Sequence, residues 1–146
     1  MRDPCPPCPA PALYRCSVHL KDRASTALTD EIELLRNCTA LELQEGGLTI
    51  HAACLLPHCL YLVLSIEENE DPEARLRRIC ASFKRHSTAE LSWHWPCIAP
   101  LRVEEMAPAM REVLAMPVTW GLTERPEDWP HSSLHRHTPQ HRAVAA

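Results

Sequence analysis

The chain has 146 residues, of which 45% are hydrophobic and 23% charged, and its formal net charge is −4. This composition is typical of one globular domain with a real core. The negative charge argues against a protein that coats nucleic acid without specificity, but it is compatible with a local basic groove. No apolar run approaches the ~20 residues that span a bilayer, and the start MRDPCPPCPAPA is unlike a secretory signal. We therefore expect a cytoplasmic protein with no membrane partner.

The composition predicts one folded domain, residues 13–136, between two flexible tails. The tail 1–12 is rich in proline and contains the close pair Cys5-Pro-Pro-Cys8, and the tail 137–146 reads HTPQHRAVAA. Without an export signal, the eight cysteines do not indicate a disulfide framework. A structural zinc site usually needs a second ligand pair at a suitable distance, so most of the cysteines are better interpreted as small buried hydrophobic residues.

The first predicted elements are a strand over 13–20 and a helix that begins near Asp30. Asp30-x-x-Glu33 has the character of a capping box, and Gly46-Gly47 ends the helix. The apolar stripe of this helix is predicted to consist of Leu34, Leu35, Cys38 and Leu41.

Residues 48–66, LTIHAACLLPHCLYLVLSI, predict two strands joined by a tight turn at Pro57-His58. Period-two alternation gives each strand two different faces. In the first strand it places Leu48, Ile50, Ala52, Cys54 and Leu56 on one face. In the second strand it places Cys59 and Tyr61 on the same side, with Leu60 between them pointing to the other side. Two reactive side chains at i and i+2 on a central strand are one way to build a metal or phosphodiester site.

A second helix is predicted over 72–86, and it carries a basic face that includes Arg75, Arg78, Lys84 and Arg85. Such a face is usually a solvated helix surface; a face that contacts phosphate is the sharper alternative. A short edge strand follows over 90–98, with Pro96 near its end. A third helix is predicted over 103–115, where Pro108 should kink the helix or move its start later.

The predicted order is β-α-β-β-α-β-α, which is typical of a ferredoxin-like α+β fold: an antiparallel sheet with helices packed on one face. The other face, which carries Cys59 and Tyr61, is then the place where a ligand or a nucleic acid strand would lie.

Four stretches resemble the REP-associated tyrosine transposases, a family of the HUH superfamily. They are LTDEIELLR (28–36), IHAACLLPHCLYLVL (50–64), DPEARLRRICASFKR (71–85) and MPVTWGLTERPEDWPHSSLHRH (116–137). The last stretch is the most specific, because Gly121-Leu122, the gap that follows and the run from Asp128 to Ser133 are hard to produce by composition alone. The resemblance covers roughly residues 13–137.

The resemblance implies a metal-dependent nuclease site whose residues are replaced here. In the family, two histidines on one strand hold a divalent metal, magnesium or manganese, and a helical tyrosine attacks the phosphate of single-stranded DNA. The histidine positions fall on Cys59 and Tyr61, and the tyrosine position falls on Glu112. A thiolate is a soft ligand poorly suited to magnesium. The resemblance therefore implies a degenerate copy that lacks the ligands for its cofactor.

Three interpretations of the function stay open at this point. The first is a transposase-like protein that binds single-stranded or hairpin DNA without cleaving it, through Arg75, Arg78, Lys84, Arg85, Trp129 and His131. For Trp129, packing of the C-terminal segment onto the sheet is an equal alternative. The second is a metal-binding module built from Cys5, Cys8, Cys59 and nearby histidines. The third is a transposase remnant without function.

Overall fold

The computed structural model describes residues 11–133, which form a four-stranded antiparallel sheet in the order β2-β3-β1-β4 with helices packed against it. The strands are β1 Ala12–His19, β2 Leu48–Leu56, β3 Cys59–Ile66 and β4 Cys97–Leu101. The helices are α1 Ala27–Asp30, α2 Ile32–Gln44, α3 Pro72–His86, α4 Met106–Leu114 and α5 Met116–Thr119. Both predicted tails lie outside the described residues, except that Ala12 already belongs to β1. The predicted ferredoxin-like α+β class is confirmed.

The hairpin β2–β3 has the predicted ends, but a bulge divides the first strand. The pairing register shifts between Ile50, which faces Leu64, and Ala52, which faces Val63, so His51 is the extra residue. Leu48 and Ile50 therefore lie on the same face as Leu55, while Cys54 lies on the opposite face. The prediction of one continuous apolar face along β2 is wrong, because a one-residue shift turns every later side chain over.

The first face of the sheet packs against α2 and α3. Leu60, Leu62 and Leu64 of β3 meet Leu35 of α2 and Phe83 of α3 in one buried cluster. Helix α3 has the predicted ends, and the side chain of Asp71 caps it by accepting a hydrogen bond from the backbone N–H of Glu73 at 3.0 Å.

The predicted first helix corresponds to α2, and the short helix α1 before it was not predicted. The predicted capping box is absent: no side chain caps α2. Its predicted stripe is also partly wrong, since Leu41 is 61% exposed and Glu42 is buried in its place.

Helix α4 covers the second face of the sheet, so helices lie on both faces and not only on the predicted one. Val113 and Ala109 of α4 pack against Val63 and Cys59 of β3 in a second buried cluster. Pro108 lies in the first turn of α4, where its missing N–H costs no helical hydrogen bond, so the predicted later start is confirmed.

The edge strand is later in the chain than predicted. The prediction was 90–98, whereas β4 spans Cys97–Leu101 and Trp93 contributes only an isolated bridge to Leu20. The predicted edge position is confirmed, since β4 pairs only with β1. No helix within residues 11–133 is long and apolar enough to cross a bilayer.

Candidate nucleic-acid interface

Cys59 and Tyr61 lie on the same face of β3, as predicted, but Cys59 is enclosed by the sheet. It lies between His19 of β1 and Leu56 of β2 and has no exposed surface. Burial raises the pKa of its thiol to about 11, so it is protonated at neutral pH. The ring of Tyr61 meets that of His19 edge-on, with centroids 5.6 Å apart. Burial, and then the nearby Cys59, raise the pKa of Tyr61.

Glu112, where the resemblance predicts the nucleophile position, lies on α4 and forms an ion pair with Arg15 of β1 at 3.0 Å. A carboxylate held this way has no hydroxyl that could attack phosphate. Within residues 11–133, no three His, Cys, Asp or Glu side chains come together in a way that could hold a metal ion. The protonated, buried thiol of Cys59 and the phenol of Tyr61 do not fit a magnesium or manganese ion.

The absence of a metal-binding cluster within residues 11–133 also bears on the hypothesis of a metal-binding module. Cys59, one of its proposed ligands, has no metal-binding cluster around it in the described part of the chain. The other two proposed cysteine ligands, Cys5 and Cys8, lie outside the described residues.

Arg75 is not part of the exposed basic face of α3, so this prediction is wrong. Its guanidinium is buried against α2, where it donates hydrogen bonds to the carboxylate of Glu42 and, at 3.0 Å, to that of Glu70. Arg78 is exposed and contacts Glu42 at 3.3 Å. Lys84 and Arg85 are exposed and form no ion pair within residues 11–133.

The structure adds Arg77 and Trp95 to this surface. The Arg77 guanidinium carbon lies 4.3 Å from the centre of the Trp95 ring, which is 67% exposed. Trp93, two residues earlier, turns inward and meets Phe83 with centroids 6.1 Å apart. Regular alternation in an extended segment would place Trp93 and Trp95, two residues apart, on the same side, so the sequence pattern did not indicate that only Trp95 is exposed. We call Arg77, Arg78, Lys84, Arg85 and Trp95 the α3 basic face.

Trp129 and His131 lie against the free edge of β2. The indole N–H of Trp129 donates a hydrogen bond to the carbonyl of Leu55 at 2.7 Å, and the backbone N–H of Leu55 donates to the carbonyl of His131 at 2.8 Å. The hydroxyl of Ser133 accepts a hydrogen bond from the N–H of Ala53 at 2.9 Å. The segment thus covers an edge that would otherwise expose unpaired backbone groups, and the packing alternative for Trp129 is confirmed.

Comparison with known proteins finds similarity to REP-associated tyrosine transposases. A protein of Haemophilus influenzae assigned as a REP-associated tyrosine transposase is 26% identical over an alignment of 143 residues. The match covers 85% of this chain and 80% of that protein. A solved REP-associated tyrosine transposase bound to a REP hairpin superposes with a TM-score of 0.82 and 22% identity, over 93% of this chain and 84% of the other. The chain is similar to the REP-associated tyrosine transposases in sequence and in fold. The predicted resemblance is confirmed.

The likeness to other transposases is weaker. A protein of Deinococcus radiodurans described as a transposase superposes with a TM-score of 0.50 and 12% identity, over 77% of this chain and 95% of that one. No family model matches the chain. The comparisons therefore show that the chain shares the fold of a REP-associated tyrosine transposase.

Proposed function

We propose that this protein is a cytoplasmic, transposase-like DNA-binding protein that binds single-stranded or hairpin DNA and does not cleave it. The observation that carries the binding part is the α3 basic face on a fold shared with a transposase that binds a REP hairpin. Lys84 and Arg85 have no acidic partner within the described residues, so their charge is available to a phosphate backbone.

Trp95 supports a single-stranded ligand, because every unpaired base offers a face that can stack on an exposed indole. Arg77 holds the ring from one side by a cation–π contact, which reduces the cost of ordering the ring when a base stacks on it. Basic side chains beside one stacking ring favour contacts with the phosphate backbone of the nucleic acid and stacking on its bases.

The absence of cleavage is supported by three positions together. The thiol of Cys59 is buried and protonated, the phenol of Tyr61 has a raised pKa, and Glu112 is held by Arg15. The reaction requires a metal to neutralise charge on the phosphate and a nucleophile aligned with the scissile bond. The side chains at these positions provide neither.

Binding is tested with the full chain and a fluorescent hairpin oligonucleotide with a single-stranded end, by anisotropy at several salt concentrations. Each phosphate contact to a single strand contributes about 0.7 to the slope of log affinity against log salt. Lys84→Gln with Arg85→Gln should therefore reduce the slope by about 1.4. The matched control is Arg36→Gln with Arg125→Gln, which removes two exposed charges that are already paired with acids. No binding at low salt would refute DNA binding and favour the remnant interpretation.

Stacking is tested separately at Trp95. Trp95→Ala should weaken binding of the single-stranded end by about 1–3 kcal/mol, and Trp95→Phe, which keeps an aromatic face, should lose less. Equal losses in both variants, or no loss in either, would remove Trp95 from the interface.

The absence of cleavage is tested by incubating the protein with the same hairpin DNA and manganese. We expect no covalent protein–DNA adduct on a denaturing gel, while a tyrosine transposase run in parallel as positive control forms one. An adduct would overturn this part of the proposal.

A further inference from the structure

A pocket of about 240 Å³ lies at the end of the sheet where β1 finishes and β3 and β4 begin. It is lined by His19, Leu20, Arg23, His58, His94 and Cys97. Three imidazoles and one guanidinium meet here, and no carboxylate is among the lining residues. The pocket shares no lining residue with the α3 basic face, and the side chain of His19 lies on the sheet face opposite α3, against Tyr61.

Backbone hydrogen bonds hold the three histidines in place. The N–H of Leu20 donates to the carbonyl of His58 at 2.8 Å, and the N–H of His94 donates to the carbonyl of His19 at 2.9 Å. The Nε2 atom of His19 is also 3.1 Å from the hydroxyl of Ser17. Imidazoles from three separate segments are thus kept together by the fold before any ligand is bound.

His58 has an unused polar atom. The residue is only 8% exposed, and its buried Nε2 has no hydrogen-bond partner within the described residues. Its ring is fixed by an edge-on contact with Trp120, with centroids 4.9 Å apart. Buried polar atoms in folded proteins nearly always have a partner, and this unpaired nitrogen belongs to a residue that lines the pocket.

The charge of the pocket selects an anion. Arg23 forms no ion pair within residues 11–133, and the side chain of its neighbour Asp22 accepts a hydrogen bond from the N–H of Ala24 at 3.0 Å. Burial, and then the positive charges of His58, His94 and Arg23, lower the pKa of His19. A metal cation would meet the guanidinium of Arg23 as a like charge, whereas an anion would relieve the repulsion.

We propose that this pocket binds a phosphate group, with Arg23 as its charged partner and the imidazoles of His58 and His94 as hydrogen-bonding partners. A guanidinium fork matches two phosphate oxygens, and an imidazole N–H donates to a third. The volume equals that of about eight water molecules, which is room for one phosphate group with part of its hydration. The phosphate belongs either to a nucleic acid backbone or to a free phosphate, and the pocket is inferred without use of the proposed DNA binding.

The test uses the full chain and inorganic phosphate. The imidazole resonances are followed by NMR while chloride is replaced by phosphate at constant ionic strength. A saturable shift of the His58 and His94 resonances is expected, and Arg23→Gln should weaken phosphate binding about tenfold. Arg23 is exposed in a turn, so the variant is expected to fold. Arg36→Gln, on the opposite side of the sheet, is the matched control and should bind phosphate as the unchanged protein does.

The outcomes separate this proposal from the proposed function. No saturable shift, or an equal shift in Arg23→Gln, overturns the phosphate pocket. Displacement of phosphate by hairpin DNA supports it and assigns the phosphate to a nucleic acid backbone. Retention of phosphate beside bound DNA supports it with free phosphate as the ligand. Phosphate binding without any DNA binding supports the pocket and refutes the proposed function alone.

Discussion

Arg75 of α3 and Glu42 of α2 form an ion pair inside the protein, with side chains only 4% and 7% exposed. The guanidinium also donates hydrogen bonds to the backbone carbonyls of Glu42 and Gly46, both at 2.9 Å, and to the carboxylate of Glu70 at 3.0 Å. Each of its three nitrogens therefore has a partner. The arrangement joins the two helices of the first layer by charge as well as by apolar contact.

Replacing one partner of this pair should be strongly destabilising. Arg75→Met leaves the buried carboxylate of Glu42 with only the exposed Arg78 as charge partner, and Glu42→Leu leaves the guanidinium of Arg75 with only Glu70. Removing one partner of a buried pair typically costs about 3–5 kcal/mol. The double variant Arg75→Met with Glu42→Leu should lose less than the two single losses together, because no charge is stranded. Urea unfolding measures all three, with Arg77→Met, an exposed neighbour, as control. Single losses below about 1 kcal/mol would show that the pair does not hold the helices together.

The sequence indicated that Arg75 is buried, but it did not indicate the partner of Arg75. Positions 75, 79 and 83 recur at helical spacing, so the burial of Arg75 was readable from the position of Ile79 and Phe83. Its partner was not readable, because Glu42 lies on another helix and occupies a place that the apolar pattern assigned to Leu41. A buried charge can be predicted only together with the group that compensates it.

The sheet, too, could be predicted only in part from the sequence. Turn chemistry at Pro57-His58 predicted the ends of β2 and β3, and the placement of Cys59 and Tyr61 on one face is confirmed. The bulge at His51 left no sign in the sequence, because the alternation of polar and apolar residues continues through it. The histidine pocket was not predicted either, since His19, His58 and His94 come from segments that only the topology brings together.

The indole hydrogen bond of Trp129 should contribute measurably to stability. Trp129→Phe keeps an aromatic ring but leaves the carbonyl of Leu55 without its side-chain donor, so the free energy of unfolding should fall by about 1–3 kcal/mol. Trp95→Phe, at an exposed ring, should change it by less than about 0.5 kcal/mol. Both are measured by urea unfolding, and equal stability of the two variants would argue against the packing role of Trp129.

The cysteines should differ sharply in reactivity. Cys97 is exposed, whereas burial raises the pKa of the thiols of Cys16, Cys54 and Cys80 to about 12 and that of Cys59 to about 11. In a native alkylation experiment followed by peptide mass spectrometry, Cys97 should be modified first among the cysteines within residues 11–133, and Cys59 only in urea. Rapid native modification of Cys59 would show an accessible thiolate and would favour metal binding at this residue.

Stability should fall on acidification, in part through His131. Burial, and then the charge of Arg36, lower the pKa of His131 in the folded chain, and its buried Nδ1 has no hydrogen-bond partner within the described residues. The unfolded chain therefore binds the proton more tightly. The contribution of the neutral ring is fully present above the unfolded pKa of about 6.5 and is lost as the pH falls below it.

Urea unfolding at pH 7.5 and pH 5.5 measures this effect. His131→Gln should lose less stability between the two pH values than the unchanged chain does, because it has no proton to take up at this position. The stability of His131→Gln should still depend on pH to some extent, since burial also lowers the pKa values of His19 and His58. His86→Gln, at an exposed position on α3, is the matched control and should behave as the unchanged chain. If His131→Gln and the unchanged chain lose the same stability between the two pH values, the pKa of His131 is the same in the folded and the unfolded chain.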